Sequence, residues 1–273
     1  MKTITRGAAA AAAMLLMSGL ASAQDKGWTG AYIAVNGGYG FQPDDSAETI
    51  RFDKNLDGVF TDTVTNVAGA NAFAPGFCGG GAVTALPATG CVADEDGADF
   101  GGRLGYDWQK GSLVFGLLAE GSTADVTDSV SAFSITPARY AFTRELRWQA
   151  ALRARVGAGS GRFLAYATGG GVRGHIENTF ATSNAVNTFV PSDHDSAWGY
   201  QAGGGLEYRF AKLSLGAEVL YTSLSDEDEY SVRVQGPAPA TNPFLLANPS
   251  GTDFRRQDAF KFTTARMTVS YRF

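Results

Sequence analysis

The chain has 273 residues, with 22 Lys+Arg against 27 Asp+Glu and a net charge of −5. An acidic balance of this kind argues against nucleic acid as a partner. The 35 glycines and a mean hydropathy of −0.08 fit a turn-rich β protein better than a helical one.

Lys2 and Arg6 precede the apolar run GAAAAAAMLLMSGL, which is followed by Ala21-Ser22-Ala23. A positive start, a short apolar stretch and an A-x-A site make residues 1–23 a secretory signal peptide, cut after Ala23. Loss of Lys2 and Arg6 leaves 20 basic against 27 acidic residues, so the exported chain (24–273) is near −7. No stretch approaches the ~18 apolar residues of a spanning helix. If the chain crosses a membrane, helices are not the route.

Eight segments of alternating character follow. They are Trp28–Phe41, Phe100–Trp108, Leu113–Asp125, Glu145–Val156, Phe163–Asn178, Trp198–Phe210, Leu213–Ser225 and Phe260–Phe273. A tilted transmembrane strand needs about 9–11 residues, which these match or exceed. One face is apolar, as in Trp148, Ala150, Leu152, Ala154 and Val156; the other is small or charged, as in Arg147, Gln149, Arg153 and Arg155. The connections QKGS, GAGSG and AK are short, and the links between them are long and polar, the first spanning about 42–99. Strict alternation of short and long links is the mark of an up-and-down barrel with its turns on one side and its loops on the other.

Aromatic residues fall at two levels. Tyr106, Trp108, Tyr208, Phe210, Tyr271 and Phe273 lie near the short turns, and Trp148, Trp198, Tyr200 and Tyr221 toward the long loops. Such levels mark the two membrane interfaces. The charged face is rich in Arg and Gly and almost free of Lys, which suits a tight, paired interior rather than a solvated one. The expected fold is therefore all-β, an eight-stranded antiparallel up-and-down transmembrane β-barrel.

WTGAYIAVNGGYG, at 28–40, resembles the opening strand of small outer-membrane β-barrel proteins, and the terminal VSYRF resembles their closing strand. With eight strands between them, the chain from Trp28 to Phe273 is similar to the superfamily of the OmpA transmembrane domain and OmpX. The resemblance implies an integral protein of the cell outer membrane. It also implies that Met267, Val269, Tyr271 and Phe273 are read as an insertion signal by the barrel assembly machinery. Nothing follows Phe273, so no peptidoglycan-binding domain of the OmpA kind is expected.

Parity places Arg103, Glu120, Arg147, Arg153, Arg155, Glu207, Arg209, Glu218 and Arg266 on the inward face, with His175 and Glu177. Eight strands enclose a space that side chains just fill, so these charges are expected to pair as a polar plug. The competing reading is a gated ion path. Cys78 and Cys91, in CGGGAVTALPATGC within the first loop, are expected to form a disulfide, as an oxidising compartment favours.

FDKNLDGVFTD, in the same loop, offers a tentative calcium site: Asp53, Asn55, Asp57 and the carbonyl of Val59 match the front of an EF-hand loop. Position twelve is Val64 rather than a bidentate Glu, so the set is incomplete. The alternative is an Asp-Gly hairpin turn. No other cofactor is expected. The acidic run Asp226–Glu229 opens the fourth long loop and could share divalent cations with lipopolysaccharide, which with outer-membrane lipids completes the expected partners. His175 and His194 lack a nucleophile motif beside them, so an enzyme is not expected. The expected role is structural and surface-exposed in the cell envelope. A narrow porin-like channel is the alternative, and a lipid-modifying enzyme the remote one.

Overall fold

The computed structural model describes residues 27–43, 48–225, 230–257 and 259–273. The expected signal peptide and the run Asp226–Glu229 lie outside the described residues. Eight long strands form the barrel: β1 (Gly30–Phe41), β2 (Gly97–Lys110), β3 (Leu113–Ala124), β4 (Ala138–Ser160), β5 (Phe163–Thr182), β6 (Ser196–Phe210), β7 (Leu213–Ser225) and β8 (Phe260–Arg272). Each pairs antiparallel with the next. Strand β8 returns to β1, with Tyr32 opposite Arg272 and Phe41 opposite Thr263, and the ring is closed. Closure leaves no unpaired backbone edge in the barrel wall, the condition for a sheet in lipid.

The short turns are two residues long, since Lys110 pairs Leu113, Ser160 pairs Phe163 and Phe210 pairs Leu213. Their first residues, Gly111, Gly161 and Ala211, have φ of 63°, 57° and 55°. A positive φ at the first position matches the right-handed twist of a hairpin, and Gly adopts it without strain.

Side chains alternate across the wall. Val35, Leu104, Leu117, Leu152 and Met267 point outward and are exposed, while Arg103, Glu120, Arg153, Glu218 and Arg266 point inward and are buried. A soluble barrel has the reverse arrangement, so the outer surface is built to meet lipid. Tyr106, Trp108, Phe210, Tyr271 and Phe273 are exposed at the turn end, and Trp148, Trp198 and Tyr200 at the loop end.

The loop end differs from the expectation of four polar loops. Strands β4 and β5 have 23 and 20 residues, twice what a membrane requires, and run on past the girdle. Thr127–Ser134 pairs with the projecting half of β4, and Gly76–Gly79 pairs with Thr127–Ser134. Opposite them, Thr188–Pro191, Ser231–Gln235, Thr252–Arg256 and Ile50–Asp53 form a four-stranded antiparallel sheet, in that order. Between lie Phe52, Phe73, Val130, Tyr140, Phe142 and Phe254, all buried. Phe52 stacks on Phe73 at 4.5 Å and meets Phe254 edge-on at 4.9 Å. The loops thus fold together into a cap with an aromatic core of its own.

At Arg147 the ladder of β4 and β5 slips: His175 faces Trp148, but Ile176 faces Leu146. This is a β-bulge, which places one extra residue in β4 and reverses its parity above that point.

Candidate functional site

The barrel interior is built in layers. At the turn end the indole of Trp28 folds inward, fully buried, and packs on Val114, Leu164 and Tyr166. Sequence spacing assigns Trp28 to the first strand, whereas the strand begins at Gly30 and Trp28 stops its base. The backbone N–H of Trp28 donates to Gln109 Oε1 at 2.7 Å.

Above it, Arg155 donates to Asp107 Oδ1 at 2.8 Å and to Glu207 Oε1 at 2.6 Å, and Arg272 reaches Asp107 Oδ2 at 2.7 Å. Gly116 makes this possible. A Cβ there would lie 2.1 Å from Asp107 Oδ1. Arg209 donates to the carbonyl of Gly27.

The central layer holds three guanidiniums and three carboxylates. Arg103 grips Glu218 through both Nη atoms at 3.1 and 3.2 Å and meets Glu120 at 3.1 Å. Arg153 donates to Glu120 at 2.6 Å and to Glu218 at 3.4 Å. Arg266 contacts Glu120 at 2.6 Å and Asp99 at 3.2 Å. The Tyr166 hydroxyl donates to Glu218 at 2.8 Å. Balanced charges with several partners each are what a dry interior demands. Gln149, Gln201, Ser122 and Thr222 form the next, uncharged layer. An apolar collar of Leu146, Val172, Ile176, Leu224, Phe260 and Phe262 then crosses the mouth.

Of the residues that sequence parity assigned inward, Arg103, Glu120, Arg153, Arg155, Glu207, Arg209, Glu218 and Arg266 are in the lumen. Arg147 is not. It is the extra residue of the bulge, points outward, and pairs with Glu145 at 2.6 Å and with Glu177. His175 and Glu177 also face outward, because the inner face of β5 is apolar where it serves the base and the collar. His175 stacks on Trp148 at 5.8 Å beside Asp195. His194 is exposed on the third loop. Asp107, Asp99 and Arg272 are lumen residues absent from that set. Asp107 and Arg272 lie at even spacing from Arg103 and Arg266, which alone would have found them. Asp99 falls in the span read as the first loop, whereas the strand already begins at Gly97.

Above the collar, at the floor of the cap, a second charged cluster joins loop to barrel. Arg144 donates to Asp128 Oδ2 at 2.7 Å. Arg256 bridges Asp128 Oδ1 at 2.6 Å and Glu48 Oε1 at 2.9 Å. Burial raises Glu48 to about 7 against the pull of Arg256, with Asp128 adding to the rise. Asp128 is buried more deeply, yet Arg144 and Arg256 outweigh its burial and hold it below the usual carboxylate range. Beside the cluster is a cavity of about 270 Å³, lined by Ile176, Leu224, Tyr230, Arg144 and Arg256.

Cys78 and Cys91 are disulfide-bonded, with Cα atoms 6.4 Å apart. The bridge ties the Gly76–Gly79 strand to the segment Cys91–Val92 and so straps the first loop onto the β3–β4 extension. The Asp53 carboxylate accepts the N–H groups of Leu56, Asp57 and Gly58 at 2.6, 3.2 and 2.8 Å. The Asn55 amide donates to Asp57 at 2.9 Å, and the Val59 carbonyl accepts from Thr61 at 3.1 Å. All four groups take part in hydrogen bonds within the loop. Met267, Val269 and Tyr271 lie on the outer face of β8, and Phe273, just past its end, is also exposed, with Tyr271 edge-on to it at 5.1 Å.

Comparison with known proteins agrees with this architecture. Residues 9–273 match the family described as outer membrane protein beta-barrel domain. The 31 kDa outer-membrane immunogenic protein of Brucella melitensis is 25% identical over 252 residues, covering 90% of this chain and 84% of that protein. The 22 kDa outer membrane protein of Rhizobium leguminosarum is 27% identical over 139 residues, half of this chain and 58% of the other. Among solved structures, the outer membrane protein OprG of Pseudomonas aeruginosa aligns over 91% of this chain and 98% of its own, with a TM-score of 0.50 at 13% identity. That similarity is one of fold.

Proposed function

Because the chain belongs to the outer-membrane protein β-barrel family and resides in the outer membrane, we propose that it is a non-conducting barrel whose work is done by the cap it holds at the cell surface. The barrel is the anchor; the cap is the exposed, recognisable part of the envelope. The observation that carries this reading is the filled lumen. Trp28 closes the base, paired guanidiniums and carboxylates fill the middle, and the collar of Leu146, Leu224, Phe260 and Phe262 closes the mouth. The Brucella melitensis relative is named an immunogenic protein, which suits a display role for the cap.

Two partners belong to the same reading. Outer-membrane lipids and lipopolysaccharide cover the apolar outer face, and the barrel assembly machinery reads Met267, Val269, Tyr271 and Phe273. The test is conductance in planar bilayers. The intact protein should give no ion-selective steps. Steady single-channel currents would replace this reading with that of a narrow channel.

A further inference from the structure

The exposed charges are sorted along the barrel axis. Each short turn carries one cation: Lys110 beside Gly111, Arg162 after Gly161 and Lys212 after Ala211, all exposed. None of the three has a carboxylate partner among the described residues. The acidic side chains at this end of the lumen, Asp107 and Glu207, are buried and held by Arg155. Every exposed Asp or Glu side chain among the described residues, such as Asp57, Asp125 and Glu177, lies at the loop end, where both signs mix. The chain has 27 acidic against 22 basic residues, yet its turn end presents a rim whose exposed charged side chains are all cationic.

The depth of this rim is fixed. The Arg162 carbonyl accepts the Arg209 N–H at 2.8 Å, and the Lys212 carbonyl accepts the Arg272 N–H at 2.7 Å, so both turns are tied to a neighbouring strand. Lys212 Nζ lies 5.8 Å from the centroid of the Tyr271 ring. The exposed rings of Trp108 and Phe163 stand within two residues of Lys110 and Arg162. Girdle aromatics sit at headgroup level, and a two-residue turn reaches only about 7 Å past the strands. Short turns of outer-membrane barrels face the periplasm, so the leaflet beside this rim is the phospholipid one.

We propose that Lys110, Arg162 and Lys212 bind the headgroups of anionic phospholipids in the periplasmic leaflet, in preference to neutral ones. The proposal rests on the lipid-bounded barrel of the reading above and adds a lipid selectivity to one end of it. Charge complementarity carries it: a Lys or Arg at an anionic membrane surface gains about fivefold in association. The cell wall is anionic too, but a rim this short stays at headgroup depth rather than reaching beyond it.

The test is fluorescence quenching of Trp108 by acyl-brominated lipids, with the refolded full chain in vesicles of mixed phosphatidylcholine and phosphatidylglycerol. Trp148→Phe with Trp198→Phe leaves Trp108 as the exposed indole, since Trp28 is buried. In that background brominated phosphatidylglycerol should occupy the surroundings of Trp108 about fivefold more readily than brominated phosphatidylcholine. Salt at about 1 M, where the screening length is about 3 Å, should remove most of the difference. Lys110→Gln with Arg162→Gln and Lys212→Gln should bring the two lipids level. Lys110→Gln alone, beside the reporter, should remove most of the preference there, and it carries the test if the triple variant does not fold. Flotation and heat-shifted migration in phosphatidylcholine alone verify insertion; failure at that step counts against the barrel reading rather than the rim. Equal quenching by both lipids in the reporter, or a preference that survives the triple substitution, overturns the proposal. Rim-dependent retention on isolated peptidoglycan without any lipid preference also overturns it, and assigns the rim to the cell wall.

Discussion

Arg272 Nη1 donates to the backbone carbonyl of Trp28 at 2.6 Å while its guanidinium lies 5.3 Å from the centroid of the same residue's indole. The last residue of the closing strand thus seals the first described residues into the base of the barrel. Trp28→Ala removes the indole and should lower the unfolding free energy in detergent by about 3–5 kcal/mol, the usual range for a buried Trp. It should still not conduct, because the charged layers and the collar remain. Denaturant unfolding and bilayer recordings check the two halves of this expectation; currents from Trp28→Ala alone would mean that the upper layers do not seal.

Two arginines six residues apart on β4 should behave very differently. Arg153 is buried between Glu120 and Glu218, so Arg153→Ala leaves carboxylates without their partner and should cost about 3–5 kcal/mol. Arg147, on the outside of the bulge, contacts Glu145 and Glu177 in a partly exposed setting. Arg147→Ala should cost no more than about 1 kcal/mol. Equal losses in matched urea titrations would put Arg147 back in the lumen.

Cys78→Ser with Cys91→Ser should leave the barrel able to insert, since no barrel strand contains either residue. The cap should loosen, because closing a loop of this length is worth roughly 3 kcal/mol in the chain-entropy model. Limited proteolysis of intact cells should then cut faster within 76–92, while Lys110 and Lys212 at the short turns stay protected. Failure of the double variant to assemble would make the bridge part of barrel folding itself.

Deletion of Phe273 removes one exposed girdle ring and the hydrogen bond from its N–H to Ala31 at 3.0 Å. The loss is a few kcal/mol of apolar burial at most. The truncated chain should refold in detergent nearly as wild type, yet accumulate poorly in the outer membrane of cells. Phe273→Tyr should behave almost normally. Wild-type insertion of the truncation in cells would reduce Phe273 to an interface residue.

Sequence reasoning reaches the barrel because its signal is long and repeated. Two-residue alternation runs through all eight segments, and the turns at Gly111, Gly161 and Ala211 punctuate it. It fails where a single residue changes the phase. The bulge at Arg147 leaves no trace, since Arg147 and Gln149 are both polar and either could point inward. Strand β5 misleads for another reason. Gly169–Gly171 gives parity no landmark, and the Leu164, Tyr166, Val172 and Ile176 face that reads as lipid-facing fills the base and collar instead. The cap is hidden because its opposing sheet is made of strands of four or five residues, each taken from a different part of a loop and stable only against the others.

That sheet determines what an antibody would see. Arg51 and Gln257, hydrogen-bonded through their side chains at the cap's edge, are 206 positions apart in the chain. An epitope on this face is therefore a mosaic of the first, third and fourth loops, present only while the cap is folded. Sera raised against the native protein should be absorbed poorly by peptides from any one loop, and boiling in reductant should erase much of their reactivity. A recombinant antigen would have to carry the barrel along with the loops, because the wall is what brings those distant segments side by side.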